Sequence, residues 1–287
     1  MRFVKMHGLG NDFVVLDGLN QSLPEEGTWP ELARKLCDRH FGVGGDGLVL
    51  LLPAGEAPVA MRIFNPDGSE AEMCGNAIRC LAKYAYEHLN LREENLPVLT
   101  RAGIREVRIR AERGRVRLVE VNMGKPVLEA AAIPVAAPVS PIISWPLEVE
   151  GARFLITCVS MGNPHCVIFT SGGDQFDLLY WGPRLEVHPL FPARTNVEVV
   201  EVLAPDKLRV RVWERGAGPT LACGTGACAA AVAGRLNRVS DSRVTVELPG
   251  GELQVEWGGP NEPVRMLGPA VTVFQGEIPV NGEAVSL

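Results

Sequence analysis

The sequence predicts an α/β (α+β) protein made of two domains of one fold, in each of which β-strands wrap around one main buried helix. The length of 287 residues is too great for one small core and suits two domains of roughly 100 to 150 residues each. Short alternating apolar runs dominate the chain, whereas long helical patterns are few. Similar blocks also recur at an offset of about 150 residues, far longer than the 20–50 residues of solenoid repeats.

The internal repeat consists of blocks that follow in the same order in each half. They are 10–15 with 162–167 at an offset of 152, 46–50 with 196–200 at an offset of 150, and, at an offset of 149, both 62–65 with 211–214 and 74–75 with 223–224. The last pair places Cys74 and Cys223 after the same strand-like run and before the same kind of helix. Two thiols placed alike in two halves predict a site that is reached from both sides.

The local patterns place strands and helices along each half. Alternating runs at 105–110, 116–121 and 208–212 are typical of strands with one solvent-exposed face. Helices are predicted at 31–39, 75–90 and 224–237. The third helix is rich in small residues and nearly apolar all round, as expected of a buried helix. The second and third helices each begin directly after a Cys-Gly pair.

The boundary between the halves is expected near 121–126. The first domain would then comprise 1–121 together with about 271–287, and the second domain 122–270. The Ala/Pro-rich stretch 128–141 is expected to be an extended surface connection. The tail from 271 to 287 contains another strand, which we expect to return to the first half because chain termini commonly lie close together.

Charge and hydropathy exclude several classes of protein. The formal net charge is −6 and no basic stripe is present, which argues against a nucleic-acid partner. No apolar run reaches the roughly 18 residues that a membrane helix needs. The N-terminal sequence lacks the apolar stretch of a signal peptide. We therefore expect a soluble cytoplasmic protein without a membrane partner.

Most of the seven cysteines have an ordinary structural interpretation. An odd number without a secretion signal argues against a disulfide framework. The pairs Cys74/Cys80 and Cys223/Cys228 lack the CxxC spacing of zinc sites. No metal site is therefore predicted. Those expected to be buried as small hydrophobic residues are Cys37, Cys80, Cys158, Cys166 and Cys228. Cys74 and Cys223 differ because they are duplicated and stand at helix starts.

The two Cys-Gly turns have a specific chemical capacity. The first free backbone N–H groups of the two helices belong to Gly75-Asn76 and Gly224-Thr225 and can hold a substrate carboxylate. A thiol at a helix N-terminus is expected to have its pKa lowered from about 8.5. If both helix ends gripped one carboxylate, the adjacent carbon would have a sulfur on either face.

Such an arrangement predicts inversion of an amino-acid stereocentre. One thiolate would remove the α-proton, and the thiol on the other face would deliver a proton. The carbanion would be stabilised by water exclusion and by the helix N-termini directed at the carboxylate. None of the five lysines stands in a recognisable pyridoxal motif, so no cofactor is expected.

Five motifs carry a resemblance to a known family. MHGLGNDF, FNPDGSEAEMCGN, SMGNPHCV, RTNVE and ERGAGPTLACGTGACA together resemble the diaminopimelate epimerase family, over a match from Arg2 to about Phe274. These cofactor-independent isomerases convert LL- to meso-diaminopimelate, a precursor of lysine and peptidoglycan. The resemblance implies two pseudo-symmetric α/β domains, each a strand barrel around a central helix, with the active site in the cleft between them. It also implies a homodimer.

The resemblance assigns roles to individual residues. Cys74 is implied to be the proton donor and Cys223 the proton acceptor in the LL-to-meso direction, with His165 assisting the thiols and Glu214 also counted as catalytic. The α-carboxylate would bind to the backbone of Gly75, Asn76, Gly224 and Thr225. The positions that match those for the amino groups and the distal carboxylate are Asn11, Asn65, Asn163, Asn196, Glu214 and Arg215. An arginine suits a carboxylate, and a glutamate suits an ammonium.

Some positions depart from the family or have a simpler explanation. Gly47 stands where some members have a substrate-contacting glutamine, and Phe274 where some have a tyrosine at the dimer interface. Asn11 and Asn65 could serve turns, and His165 could be structural. Asp67 and Glu70 are expected to order the loop before Cys74.

Two other functions remain open from the sequence. Proline racemases and hydroxyproline epimerases share the two-cysteine design, but they resemble MCGH at the first thiol, where this chain has Asn76 after Met73-Cys74-Gly75. Alternatively, the two cysteines could form a redox couple or sensor, and a Cys74–Cys223 disulfide could inactivate the free enzyme.

Overall fold

The computed structural model describes residues 1–172 and 175–279. The chain divides into two compact units. Unit 1 comprises Met1–Val121 and Pro269–Leu287, and unit 2 comprises Asn122–Gly268. The end of the predicted tail, 280–287, lies outside the described residues.

The elements follow one another in the order strand, strand, helix, three strands, helix, three strands in each unit. The first ten are β1 Arg2–Gly8, β2 Asn11–Asp17, α1 Trp29–Cys37, β3 Gly47–Leu52, β4 Val59–Phe64, β5 Glu70–Ala71, α2 Gly75–His88, β6 Asn95–Thr100, β7 Gly103–Glu112 and β8 Arg115–Asn122. A one-turn 3-10 helix, Glu26–Thr28, precedes α1.

The second set begins with one additional strand and is followed by a final strand that belongs to unit 1. These elements are β9 Trp145–Val149, β10 Ala152–Ser160, β11 Pro164–Phe169, α3 Leu178–Glu186, β12 Asn196–Ala204, β13 Lys207–Glu214, β14 Gly218–Thr220, α4 Gly224–Leu236, β15 Arg243–Leu248, β16 Gly251–Glu256, β17 Arg265–Gly268 and β18 Val271–Glu277.

The strands of the two units pair in the same pattern. In unit 1, β1–β2 and β3–β4 are antiparallel, whereas β2–β3 and β4–β6 are parallel. In unit 2, β10–β11 and β12–β13 are antiparallel, whereas β11–β12 and β13–β15 are parallel. The antiparallel pairs β6–β7 and β7–β8 correspond to β15–β16 and β16–β17. The sequence repeat is therefore a repeat of strand topology, and the predicted mixed, strand-dominated fold is confirmed.

One helix in each unit is surrounded by strands of the same unit. Helix α2 packs against β1, β2, β3, β4 and β7, and α4 packs against β10 to β13, β15 and β16. Most of α4 is buried on all sides, because its alanine and glycine residues are small enough for strands to approach from every direction. No helix in the described part of the chain combines the length and the apolar character needed to cross a membrane.

The predicted helix bounds differ from the observed bounds by one or two residues. Helix α1 covers Trp29–Cys37 rather than 31–39, and Pro30 occupies its first turn. The carboxylate of Asp38 ends it by accepting hydrogen bonds from the backbone N–H groups of His40 and Phe41, both over 2.7 Å. Helices α2 and α4 start where predicted but end at His88 and Leu236.

The prediction for 128–141 was wrong, whereas the prediction of a C-terminal strand is confirmed. The side chains of Ala130, Ile133 and Val135 are buried in the core of unit 2 rather than exposed. Turn hydrogen bonds, such as Ile133 N–H to Glu129 O over 3.0 Å, let an irregular segment direct alternate side chains inward. The tail forms β18, which pairs antiparallel with β1.

Candidate active site

Cys74 and Cys223 occupy the same local position in their respective units. Each is the residue immediately before the first turn of a helix and has an extended backbone, with φ of −140° and −111° respectively. Helix α2 begins at Gly75 and α4 at Gly224, as the Cys-Gly pairs predicted. Cys223 is buried and Cys74 is half-buried.

A hydrogen-bond network joins two of the predicted binding residues at the start of α2. The Asn76 Nδ2 donates to the Asn11 Oδ1 over 3.0 Å, and the Asn11 Nδ2 donates to the Asp46 Oδ2 over 2.9 Å. Arg79, which is completely buried, donates to the Asn76 Oδ1 over 2.8 Å and to the Gly75 carbonyl over 3.1 Å. These bonds fix the orientation of both amides.

Asn65 lies outside the hydrogen-bond network of Asn11 and Asn76 and is bonded within its own loop instead. Its side chain donates to the Ser69 Oγ over 2.9 Å, and its backbone N–H donates to the Ser69 carbonyl over 2.8 Å. Asp67 accepts from the Ser69 N–H and hydroxyl, and Glu70 pairs with Arg62. The expected ordering of the loop before Cys74 by Asp67 and Glu70 is confirmed.

A charged cluster under Asn11 stabilises this part of unit 1. Asp12 forms ion pairs with Lys5 over 2.6 Å and with Arg39 over 2.7 Å, and Arg39 also pairs with Asp46 over 2.8 Å. Burial acts to raise the pKa of Asp12, but the hydrogen bonds from Arg39 and Lys5 outweigh it and lower the pKa to about 2. Lys5 is itself buried, so Asp12 is its essential counter-charge.

Asp12→Asn is expected to lower the free energy of unfolding at neutral pH by about 2 to 3 kcal/mol, because it leaves the buried Lys5 ammonium without a counter-ion. The folded-state pKa of about 2 lies below the unfolded value of 3.8. The contribution is therefore complete above the unfolded pKa and is lost as the pH falls through the folded pKa. Urea titrations at several pH values should show the difference between the wild type and the variant vanishing in acid.

Glu31→Gln provides the control for this prediction, since it removes an exposed ion pair with Lys35 on α1. Its urea midpoint should match the wild type at neutral pH. An Asp12→Asn variant as stable as Glu31→Gln would contradict the role given to Asp12.

A continuous hydrogen-bonded chain leads to Cys223 in unit 2. The Glu198 Oε1 lies 2.7 Å from the His165 Nδ1, and the His165 Nε2 lies 3.0 Å from the Asn163 Oδ1. The Asn163 Nδ2 donates to the Thr225 Oγ1 over 3.3 Å. Thr225 Oγ1 in turn lies 3.4 Å from the Cys223 Sγ. Three predicted residues, Asn163, His165 and Thr225, thus lie in one chain with the thiol.

The remaining predicted residues of unit 2 lie at the end of β13 and beside it. The Asn196 Oδ1 accepts from the Arg215 N–H over 2.9 Å, and the Asn196 Nδ2 donates to the Pro164 carbonyl over 2.7 Å. The Arg215 guanidinium donates to the Ala193 carbonyl over 3.1 Å. Glu214 accepts from the Thr220 hydroxyl over 2.5 Å. Asn196 therefore fixes the backbone that presents Arg215.

The expected lowering of the thiol pKa was wrong for Cys223. Burial raises its pKa well above the ordinary value, and the negative charges of Glu214 and Glu198 raise it further. The hydrogen bonds from Thr225 and from the Gly226 N–H, the latter over 3.3 Å, act in the opposite direction but are weaker. The helix N-terminus is outweighed because the thiol is buried beside two carboxylates.

Glu214→Gln is expected to lower the pKa of Cys223, because it removes the carboxylate with the larger of the two charge effects that disfavour the thiolate. The rate of iodoacetamide alkylation at Cys223, measured against pH by peptide mass spectrometry, should therefore turn upward at lower pH than in the wild type. Glu201→Gln on β12 removes a carboxylate paired with Arg209 instead and should leave the profile unchanged. Coincident profiles for the wild type and Glu214→Gln would contradict this electrostatic account.

The buried charges of Arg79 and Glu198 were missed by sequence reasoning. Each lies in an otherwise apolar run, and the positions that match them at the repeat offsets are Cys228 and Leu48. An ionisable side chain in one half that replaces an apolar one in the other could have identified both residues.

The other five cysteines lie in the interior of their units. The cysteines predicted to be structural are all buried, which confirms that prediction. Among residues 1–172 and 175–279, no group of three or more His, Cys, Asp or Glu side chains is placed to hold a metal ion.

Comparison with known proteins gives matches along nearly the whole chain. The family model described as diaminopimelate epimerase matches residues 3–129 and 157–273. A diaminopimelate epimerase of Pelotomaculum thermopropionicum is 56% identical over 97% of this chain and 99% of its own length. One of Moorella thermoacetica is 54% identical over 98% of this chain and 100% of its own length.

Solved structures with the same fold are more distant in sequence. A probable proline racemase from Agrobacterium radiobacter superposes with a TM-score of 0.73 at 16% identity, covering 98% of this chain and 94% of that chain. A hydroxyproline epimerase from Agrobacterium vitis gives a TM-score of 0.69 at 16% identity, covering 96% and 91% respectively. At this identity the likeness concerns the fold alone.

Proposed function

Because the chain belongs to the diaminopimelate epimerase family, we infer that it is an isomerase that interconverts LL- and meso-diaminopimelate without pyridoxal phosphate. The activity would serve the synthesis of lysine and peptidoglycan precursors. The observation that carries this inference is the identity above 50% to such enzymes over nearly the full chain. The two helix-start cysteines supply the acid and the base that the reaction needs.

In the proposed reaction, Cys223 is the base and Cys74 the acid for the LL-to-meso direction. The Cys223 thiolate takes the α-hydrogen as a proton and becomes a thiol, while the electron pair of the broken C–H bond moves onto the α-carbon and its carboxylate. Cys74 then donates its thiol proton to the opposite face of that carbon and becomes a thiolate. No redox change occurs, and the two sulfurs have exchanged protonation states.

The raised pKa of free Cys223 makes formation of its thiolate dependent on the substrate. Burial and the charge of Glu214 keep the free thiol protonated. The α-ammonium of a bound amino acid would pair with Glu214 and offset its charge. The thiolate would therefore form when the substrate is present, so that Cys223 would stay a less reactive thiol in the free enzyme.

The remaining predicted residues are proposed to hold the two ends of the substrate. The backbone N–H groups at the starts of α2 and α4, from Gly75, Asn76, Gly224 and Thr225, would bind the α-carboxylate. The Arg215 fork suits the distal carboxylate. The amides that would serve the amino groups and carboxylates are Asn11, Asn65, Asn163 and Asn196. His165 would assist the thiols.

We further propose a cytoplasmic homodimer. The resemblance to the family supports this assembly, and β18 supports it physically because Val271, Val273 and Phe274 are each 43% or more exposed. Phe274 stacks edge-to-face on Phe3 with 5.9 Å between ring centroids, so an apolar surface exists where a tyrosine occurs in some members. Light scattering of the purified protein should give twice the chain mass of 31.0 kDa.

The function is tested by supplying purified protein with LL-diaminopimelate and no added cofactor, then separating the stereoisomers by chiral chromatography. Formation of the meso isomer is expected. L-proline and trans-4-hydroxy-L-proline in parallel reactions should remain unchanged. Racemisation of proline alone would favour the proline racemase alternative. Absence of any isomerisation, together with reductant-reversible oxidation of the two cysteines, would favour the redox alternative.

A further inference from the structure

Glu198 is a buried carboxylate to which the proposed reaction gives no role. It lies within β12, and its side chain is 0% exposed. Its Oε1 lies 2.7 Å from the His165 Nδ1, and its Oε2 has no hydrogen-bond partner among the described residues. An ionised carboxylate persists in such surroundings only beside a charged or strongly polar partner, and His165 is that partner.

His165 meets a hydrogen-bond acceptor at each ring nitrogen. Nδ1 faces the Glu198 carboxylate, and Nε2 lies 3.0 Å from the Asn163 Oδ1. A carboxylate and an amide carbonyl can only accept hydrogen bonds. A ring that donates to both would carry a hydrogen on each nitrogen. Its positive charge would then offset the effect of the Glu198 carboxylate on the nearby Cys223 sulfur.

The orientation of the Asn163 amide sets the direction of the next hydrogen bond. With its oxygen on His165, its Nδ2 donates to the Thr225 Oγ1 over 3.3 Å. The Thr225 hydroxyl has a single hydrogen, and its oxygen lies 3.4 Å from the Cys223 Sγ. Because the oxygen accepts from Asn163, that amide does not take the hydroxyl hydrogen, which is free to be donated to the sulfur when Cys223 is a thiolate.

A neutral His165 would reverse the donor and acceptor roles in the hydrogen bonds that lead to Cys223. Its Nε2 would lack a hydrogen and would accept from the Asn163 Nδ2, so that the amide oxygen would turn to Thr225 and take the hydroxyl hydrogen. Cys223 would then lose one of its two hydrogen-bond donors. An ionised Glu198, 2.7 Å from the His165 Nδ1, would favour the charged ring and hence the first arrangement.

The Glu198 carboxylate packs directly against the first turn of α4. A Cβ at Gly226 would lie 2.8 Å from the Glu198 Oε1 and 3.3 Å from the Cys223 Sγ. Ionisable groups near these residues include Cys166 on β11 and Glu214 at the end of β13. The hydrogen bond with Cys158 raises the pKa of Cys166, and burial raises the pKa of Cys223. Both groups are therefore neutral thiols, and neither replaces Glu198 as the negative partner of the His165 ring.

We propose that Glu198 is a positioning residue for the base Cys223. Its negative charge keeps His165 doubly protonated, and His165 fixes the amide of Asn163. Asn163 in turn leaves the hydroxyl hydrogen of Thr225 free for the Cys223 Sγ, where its hydrogen bond favours the thiolate. The proposal rests on the proposed function only in the assignment of Cys223 as the base.

The protonation of His165 is tested on the free protein by ¹⁵N–¹H correlation spectra of ¹⁵N-histidine-labelled samples. At pH about 8, an exposed histidine with the ordinary pKa of about 6.5 is neutral. His165, assigned by the signals missing from His165→Gln, should instead show a hydrogen on each of its two ring nitrogens. Glu198→Gln should split them into one protonated and one bare nitrogen. A neutral His165 ring in the wild type would overturn the proposal.

The consequence for Cys223 is tested by turnover of LL-diaminopimelate. Glu198→Gln keeps the size of the side chain but removes its charge, and kcat should fall about tenfold to a hundredfold with KM changed by no more than about twofold. Glu201→Gln, on the same strand, should keep the wild-type kcat. Glu198→Asp should restore part of the rate, because it restores the charge.

A double-mutant cycle separates positioning from general damage to the fold. Thr225→Val removes the hydroxyl, so adding Glu198→Gln to it should lower kcat little further. Full additivity of the two losses would overturn the proposal. The spectra require no substrate, so they test the protonation of His165 independently of the proposed function. If the protein does not isomerise diaminopimelate but His165 is doubly protonated in the wild type and singly protonated in Glu198→Gln, the proposed function is refuted and the effect of Glu198 on His165 stands.

Discussion

Replacing Cys223 by alanine is expected to reduce the interconversion of LL- and meso-diaminopimelate by a factor on the order of a thousand or more, and Cys74→Ala should do the same. A positioned acid or base contributes about 10²–10⁴ in rate, and each variant lacks one of the two. The losses should appear in kcat, measured by chiral chromatography from both isomers. Residual α-hydrogen exchange in Cys74→Ala should start from the LL isomer and retain its configuration, because only the Cys223 base remains.

The matched controls are cysteines further along the same two helices. Cys80→Ala on α2 and Cys228→Ala on α4 remove thiols that are completely buried and are predicted to have no part in the chemistry. Both variants should keep kcat close to the wild-type value. A Cys74→Ala or Cys223→Ala variant that turns over like these controls would contradict the assignment of that thiol.

The second large effect is expected from a single methyl group at Gly226. A Cβ there would lie 2.8 Å from the Glu198 Oε1 and 3.3 Å from both the Cβ and the Sγ of Cys223. Helix propensity alone would make Gly226→Ala more stable by about 1 kcal/mol, but overpacking a buried site costs about 1 to 3 kcal/mol. We therefore expect a lower free energy of unfolding. Displacement of the sulfur should also lower kcat about a hundredfold.

Gly27→Ala is the control for crowding, since a Cβ at Gly27 has no atom within 4 Å. Its stability, measured by urea titration, and its kcat should match the wild type. A Gly226→Ala variant that is more stable than the wild type and fully active would show that the first turn of α4 has room to spare, contrary to the structure.

The fold could be predicted from the sequence where the signals are local. The repeat around the two Cys-Gly pairs places both helix starts correctly. A helix start is a local feature, because it depends on the residue before the helix and on the few residues that follow it. The alternation at 116–121 likewise identifies β8. The irregular segment around Ile133 was misjudged because its turns carry no period, although its apolar residues enter the core.

The electrostatics of the candidate site could be predicted less well. A helix N-terminus lowers the pKa of a thiol when other effects are small, and the sequence shows that feature at Cys223. It does not show that tertiary packing buries the sulfur and brings Glu198 and Glu214 close to it. These residues come from β12 and β13, and only the fold determines their approach.

The most direct test of the central claim follows deuterium from solvent during conversion of LL-diaminopimelate in D₂O. With one thiol removing the proton and another delivering a solvent-derived deuteron, the meso product formed early in the reaction should carry one deuterium at the inverted α-carbon. The remaining LL substrate should carry none at that stage. Deuterium appearing in the LL substrate as fast as in the product would contradict the two-thiol account, as would a meso product without deuterium.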